Sequence, residues 1–203
     1  MNPEPEINRL LDLMPASGRM YTKIVSKPQQ SQVIDSRFPT PWNRDNRLIY
    51  INFDLWRRLP RPQRDLVLLR AVCSLVGIKW FTLDLYQGIT LAGLLGLGVE
   101  LFQRDAVGIV VAGGLTVIAA LQIWRNNHST QKELEADETA IKVAARRGYT
   151  EAEAARHLLE AIDSLAALEG RTALNFIELI RSQNLKAIAN LSPVGVPERI
   201  RQE

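Results

Sequence analysis

The chain has 203 residues, 46% hydrophobic and 23% charged, with a net charge of only +3. This is the composition of a folded protein, and so small a surplus gives no argument for nucleic acid despite a pI of 9.2. The single cysteine, Cys73, excludes an internal disulfide and suits a reducing compartment.

The first 30 residues lack an apolar core flanked by basic residues, so no signal peptide is expected. A short helix is predicted from Pro5 to Leu13. Gly18 and Pro28 read as breaks that bound a strand, Met20–Ser26, and Gln32–Asp35 reads as a second. Arg47–Phe53 sets Leu48 and Tyr50 against Ile49, Ile51 and Phe53 and is the clearest strand. Asp54 is placed to cap a short helix ending at Leu59. Pro60 and Pro62 then open a longer helix, as proline can in a first turn. Leu66, Leu69, Val72, Cys73 and Val76 form its apolar face.

Two apolar stretches follow, split by Gln103-Arg104-Asp105. Ala106–Trp124 is 19 residues without charge, about one bilayer crossing at ~1.5 Å per residue. Leu85–Val99 is shorter and reaches spanning length only with Glu100. Together they predict a transmembrane helical hairpin over 81–125. Small residues recur at helical spacing: Gly88, Ala92 and Gly96, then Gly108, Ala112 and Thr116. Such rows let helices approach closely in lipid, against each other or against another membrane protein. Between Arg44 and Lys79 eight basic residues stand against three acidic ones, which puts both termini in the cytoplasm by the positive-inside rule. Trp80 and Trp124 flank the two spans as interfacial anchors. A soluble hairpin of two core helices is the competing reading.

Beyond the hairpin a helix is predicted from Ser129 to Arg147, closed by Gly148. Thr150 and Glu153 form a capping box for the next, through Leu168, which Gly170 ends. Thr172–Ile188 reads as a third, with Leu174, Phe176, Ile177, Ile180 and Leu185 on its apolar side. Ser192–Glu203 reads as a tail. The expected organisation is an N-terminal cytoplasmic half (1–80), the hairpin (81–125), C-terminal cytoplasmic helices (126–191) and the tail (192–203).

The order of strand, short helix, long helix, hairpin and then Glu133-Leu-Glu-Ala-Asp137 resembles the membrane zinc metallopeptidases of the HtpX and CAAX-prenyl-protease kind. In that group the long helix carries HExxH, and a later helix carries a Glu-x-x-x-Asp motif. Arg47–Leu59 is similar to the strand and short helix, and Glu133, Ala136 and Asp137 to the second motif. Ala144–Ala152 resembles the continuation that ends at Gly-Tyr. The chain as a whole also resembles a family of cyanobacterial membrane proteins of unknown function. That likeness implies a thylakoid or plasma membrane.

The resemblance puts Arg70 and Ser74 where zinc histidines would stand, and Ala71 where the general-base glutamate would stand. Zinc needs neutral imidazole or thiolate lone pairs at i, i+4 spacing. Arginine offers only donors, and alanine cannot take a proton from water. The chain has no HExxH, and its two histidines, His128 and His157, are far apart. The scaffold is thus implied without the reaction: no catalytic residue, metal or cofactor is expected. One expectation is an Arg70–Glu133 pair, with Asp137, in place of the metal. The other is that Arg70 and Glu133 are simply solvated.

His157, near Glu153 and Glu160, and His128 read as surface or packing residues. Cys73 reads as a small buried hydrophobe. Arg57, Arg58, Arg61 and Arg64 form a basic face for anionic lipid headgroups or an acidic partner, though a run this short also occurs as a solvated face. No glycine-rich phosphate loop, Ser-His-Asp set or CxxC is present.

The expected fold class is α+β and mainly helical, with a small N-terminal β element, peptidase-like helices and one transmembrane hairpin. The expected function is non-catalytic binding of a membrane-protein client or partner in assembly or quality control. The edge of Arg47–Phe53 would receive an extended peptide. The alternatives are a metal-dependent hydrolase, with a site rebuilt from Glu133, Asp137 and His157 or His128, and a structural membrane protein that oligomerises through its small-residue faces.

Overall fold

The computed structural model describes residues 3–36, 47–77, 114, 130–195 and 197. The chain divides into two compact units, Met1–Gly77 with Thr130–Glu203, and Ile78–Ser129. Apart from residue 114, the described residues belong to the first.

The first unit begins with helix α1, Glu4–Leu13, and helix α2, Ala16–Tyr21. Strand β1, Thr22–Ser26, follows at once. Gly18 does not break the chain as its sequence context suggests; it sits inside α2. A Cβ built there would come within 2.5 Å of the Val72 side chain, so the glycine lets a helix backbone approach closely. Strands β2, Ile34–Ser36, and β3, Arg47–Ile51, complete a three-stranded sheet in the order β1-β3-β2. β3 is parallel to β1, with Ile24 opposite Ile49, and antiparallel to β2, with Asp35 opposite Tyr50.

This order corrects the expectation of a free edge at Arg47–Phe53. β3 is the central strand, and its backbone groups are engaged on both sides. Ile49 and Ile51 are fully buried, as befits the middle of a sheet rather than its rim. The edges are β1 and the short β2.

Asn52 turns the chain from sheet to helix. Its side-chain oxygen accepts from the N–H groups of Asp54 (3.1 Å) and Leu55 (3.4 Å). Its amide nitrogen donates to the carbonyls of Pro28 (3.0 Å) and Gln30 (2.8 Å). Asn52, not Asp54, therefore caps helix α3, Phe53–Trp56. Asp54 lies in the first turn and pairs with Arg57 at 2.7 Å.

Helix α4, Arg61–Gly77, starts where its prolines predict; the Arg64 N–H returns to the Pro60 carbonyl. It is the centre of the unit. Leu66, Leu68, Leu69 and Val72 are fully buried, and together they cover more than one face. A helix buried nearly all round has little amphipathic signal, which is why the sequence shows only part of its contact surface.

Helices α5, Thr130–Ala145, α6, Glu151–Leu168, and α7, Phe176–Ile188, pack around α4. Gly148 and Gly170 adopt φ values of +97° and +71°, which glycine alone takes readily. The Thr150–Glu153 capping box is present, with Thr150 Oγ1 accepting from the Glu153 N–H at 3.2 Å. α7 starts four residues later than the periodicity suggests, because Asn175 and Glu178 form a second capping box. The shared core joins Leu66, Leu69 and Cys73 to alanines 140, 144, 154 and 155 and to Leu158 and Leu185. Alanine at these contacts keeps the helices close.

The expected fold class is corrected in one respect. The described fold is mainly helical with a small three-stranded sheet, and among the described residues no helix is long and apolar enough to cross a membrane. The transmembrane hairpin is therefore withdrawn from the fold class. Its residues 81–125, including Gly88, Ala92, Gly96, Gly108, Ala112 and Thr116, lie outside the described residues, as does His128.

Gly18→Ala is expected to cost about 1–3 kcal/mol, because the stiff, buried Val72 side chain cannot move aside. Chemical denaturation checks this. Gly77→Ala, where a Cβ meets no atom within 4 Å, is the control and should lose no stability.

Candidate functional site

Arg70 lies on the α4 face turned toward α5. It forms an ion pair with Glu133, through Nη2 and Oε2. Its Nε lies 3.4 Å from Asp137 Oδ1. The three residues that the sequence singles out are thus together, and a fourth that it missed completes the group. Arg181 of α7 grips Asp137 with two hydrogen bonds, Nε to Oδ2 at 2.8 Å and Nη2 to Oδ1 at 2.9 Å. Asp137 has no exposed surface, and Arg181 retains 7%. A signal for Arg181 does exist in the sequence: it falls between Ile177 and Leu185 at four-residue spacing, a charge on an otherwise apolar stripe.

The Arg70 guanidinium is pulled down to about 10 by burial and by repulsion from Arg181, against the attraction of Asp137. It remains a cation at neutral pH. Ala71 is buried and Ser74 half-buried on the same helix. A cavity of about 80 Å³ lies against this network, with Ile34 and Ser36 of β2 on one wall and Arg70, Ala71, Glu178 and Arg181 on the others.

A second ion network flanks it. Glu178 receives two hydrogen bonds from Arg171, at 2.7 and 2.8 Å. Arg171 also reaches Glu169 at 3.0 Å, and Glu169 accepts from the Val33 N–H at 3.0 Å. This line of contacts ties the start of β2 to the helices. Burial raises the Glu178 carboxyl, but the bonds from Arg171 and the Asn175 N–H outweigh it and hold the group below the usual range.

The chemistry of this arrangement is self-contained. Glu133, Asp137 and Glu178 each face a guanidinium. Arginine has no lone pair to give a metal and does not take up protons near neutral pH. Among the described residues no group of three or more His, Cys, Asp or Glu is placed to hold a metal ion. His157 sits 3.4 Å from Glu160 on the outer side of α6 and meets the Tyr149 ring edge-on at 6.4 Å, away from Asp137's partners. Cys73 is in the core, and burial pushes its thiol up to about 11, so it stays protonated and unreactive at neutral pH.

The basic stretch is less uniform than it reads. Arg57 pairs with Asp54, and Arg64 pairs with Glu6 at 2.7 Å. Arg58 and Arg61 are exposed and take no part in the ion pairs formed among the described residues.

Asp137→Ala is expected to cost about 3–5 kcal/mol, since it leaves the buried Arg181 unmatched. Arg70→Met and Glu133→Gln should each cost less, with a coupling of about 1 kcal/mol in a double-mutant cycle. Acid should also act through Glu178. Its lowered pKa contributes stability above about 4.5, which is lost as pH falls through the folded-state value. The pH dependence of denaturant midpoints below 4.5 should flatten in Glu178→Gln.

Comparison with known proteins gives one family and one relative. The chain is 29% identical over 168 residues to the thylakoid membrane protein slr1949 of Synechocystis sp., an alignment that covers 79% of this chain and 76% of that protein. No solved structure matches the chain. Neither the relative nor the matched family is described as a peptidase. The model of the family described as "Protein of unknown function (DUF3318)" matches residues 8–149, more than half of the chain and including both Arg70 and Glu133, and the chain belongs to that family.

Proposed function

We propose that this protein is a non-catalytic, membrane-associated binding protein that engages a membrane-protein partner or client during assembly or quality control. One observation carries the non-catalytic part. The resemblance to zinc peptidases would put zinc ligands at Arg70 and Ser74 and the base at Ala71; Arg70 instead pairs with Glu133, and Asp137 is bound by Arg181. Such a group holds helices together and leaves no base, nucleophile or ligand set free for hydrolysis. The peptidase likeness thus enters only as a shared order of elements. The Synechocystis relative is a thylakoid membrane protein, which supports membrane association and a photosynthetic membrane as the place of this protein.

A partner surface is available on α7. Phe176 and Leu179 are 66% and 55% exposed, large apolar side chains three residues apart on one helix face. Gln183 continues that face, and its amide donates to the Val194 carbonyl at 2.6 Å. Val194, 62% exposed, therefore extends the strip. Apolar side chains grouped in this way mark interaction sites more often than isolated ones do.

Photo-crosslinking from position 176 in native membranes is expected to recover a discrete membrane-protein partner. Leu179→Arg should abolish that recovery, with the melting temperature unchanged because the residue is exposed. Recovery that persists undiminished in Leu179→Arg would reject this surface. Stoichiometric zinc in the purified full chain, lost in Glu133→Ala, would reject the non-catalytic reading.

A further inference from the structure

On the far side of α4 from β2's cavity, an open cleft of about 430 Å³ lies between α1, the start of α4 and the turn after α5. Its floor is Asp65, which is 5% exposed. One Asp65 oxygen accepts from Arg9 Nη1 at 2.5 Å, and the other accepts from the Tyr149 hydroxyl at 3.0 Å. Arg9 also donates to Glu6 through Nε and Nη2, at 2.9 and 2.8 Å. The floor is thereby neutral and closed.

The walls are not. Arg61 and Arg147 both line the cleft and are exposed. Arg147 donates to the Met14 carbonyl at 3.1 Å, which fixes its position but leaves its charge unmatched. The Arg61 side chain takes part in no hydrogen bond or ion pair formed among the described residues. The one other carboxylate on the wall, Asp12, is 83% exposed and leans toward Arg19 at 3.6 Å, outside the cleft. Gly148 lies at the rim, where a Cβ would meet no atom within 4 Å, so its backbone is open to approach. Tyr149 is held as a neutral phenol, pushed up to about 12 chiefly by burial and by Asp65, and adds no negative charge.

From this geometry we infer that the cleft binds an anionic phosphate group, held between the guanidiniums of Arg61 and Arg147. Guanidinium forks match phosphate oxygens in bidentate geometry. A cleft of this volume takes a headgroup-sized ligand. The phosphate is either free or the diester of a lipid headgroup, and the chemistry of recognition is common to both. The inference is independent of the α7 partner surface and of the Arg70 network.

Isothermal titration calorimetry of the full chain in nonionic detergent tests it, with inorganic phosphate and with glycerophosphoglycerol as ligands and glycerophosphocholine as the zwitterionic control. Saturable binding of an anion is expected. It should weaken at least tenfold in Arg61→Ala, recover in part in Arg61→Lys, and remain in Arg58→Ala, whose side chain is outside the cleft. Tighter binding of the glycerol diester than of phosphate identifies a lipid headgroup; the reverse order identifies a free phosphate. Arg61 is exposed, so an unchanged melting temperature separates loss of binding from loss of fold. Absence of saturable binding by either anion overturns the inference, as does binding that survives both Arg61→Ala and Arg147→Ala.

Discussion

A buried charge must be matched where it sits, because water cannot reach it. Asp137, with no exposed surface, imposes that constraint on three helices at once. It comes from α5, is gripped by Arg181 of α7, and lies beside Arg70 of α4, which is in turn paired with Glu133. The relative rotation of these helices follows, since a turn of any one would leave a buried charge alone. Apolar packing between alanine-rich faces tolerates sliding far better than a bidentate ion pair does. The network therefore selects one arrangement from several that the core would accept.

The rest of the unit is organised around α4. The alanines of α5 and α6 bring those helices close to its leucines, and Gly18 does the same for α2 against Val72. Besides its buried isoleucines, the sheet is joined to the helices through two polar devices. Asn52 holds both the start of α3 and the loop carbonyls of Pro28 and Gln30. Glu169 takes the Val33 N–H while bound to Arg171. Each lets one side chain satisfy backbone groups that would otherwise be stranded at a junction.

A zinc peptidase site and the interior observed here differ in kind. A metal site keeps ligands poised around a cation that can exchange water. Here the cations are arginine side chains, covalently part of the chain, and each is paired with a carboxylate. The charged positions on α4 and α5 therefore serve cohesion. The opposite side of α4 has the reverse character: Asp65 is silenced by Arg9 and Tyr149, while Arg61 and Arg147 keep their charge facing solvent. One helix thus separates a closed, neutral network from an open, positive cleft.

Features written within a few neighbouring residues could be read directly. Thr150 with Glu153, Gly148, Gly170 and the prolines at the start of α4 act through bonds and φ angles a turn or less away, and each marks a boundary where the sequence places it. The alternation of Arg47–Ile51 likewise identifies a strand. Whether that strand is central or at an edge depends on β1 and β2, and no pattern within it could say. Gly18 reads as a break because its function lies 54 positions away, at Val72. Arg181 and Asp137 are 44 positions apart, and the cleft draws on residues 9, 61 and 147. Local geometry is set by adjacent backbone and side-chain atoms, so it is legible in order along the chain. Compensation of buried charge, and the choice of which arginine keeps its charge free, depend on distances that exist only after the helices have packed.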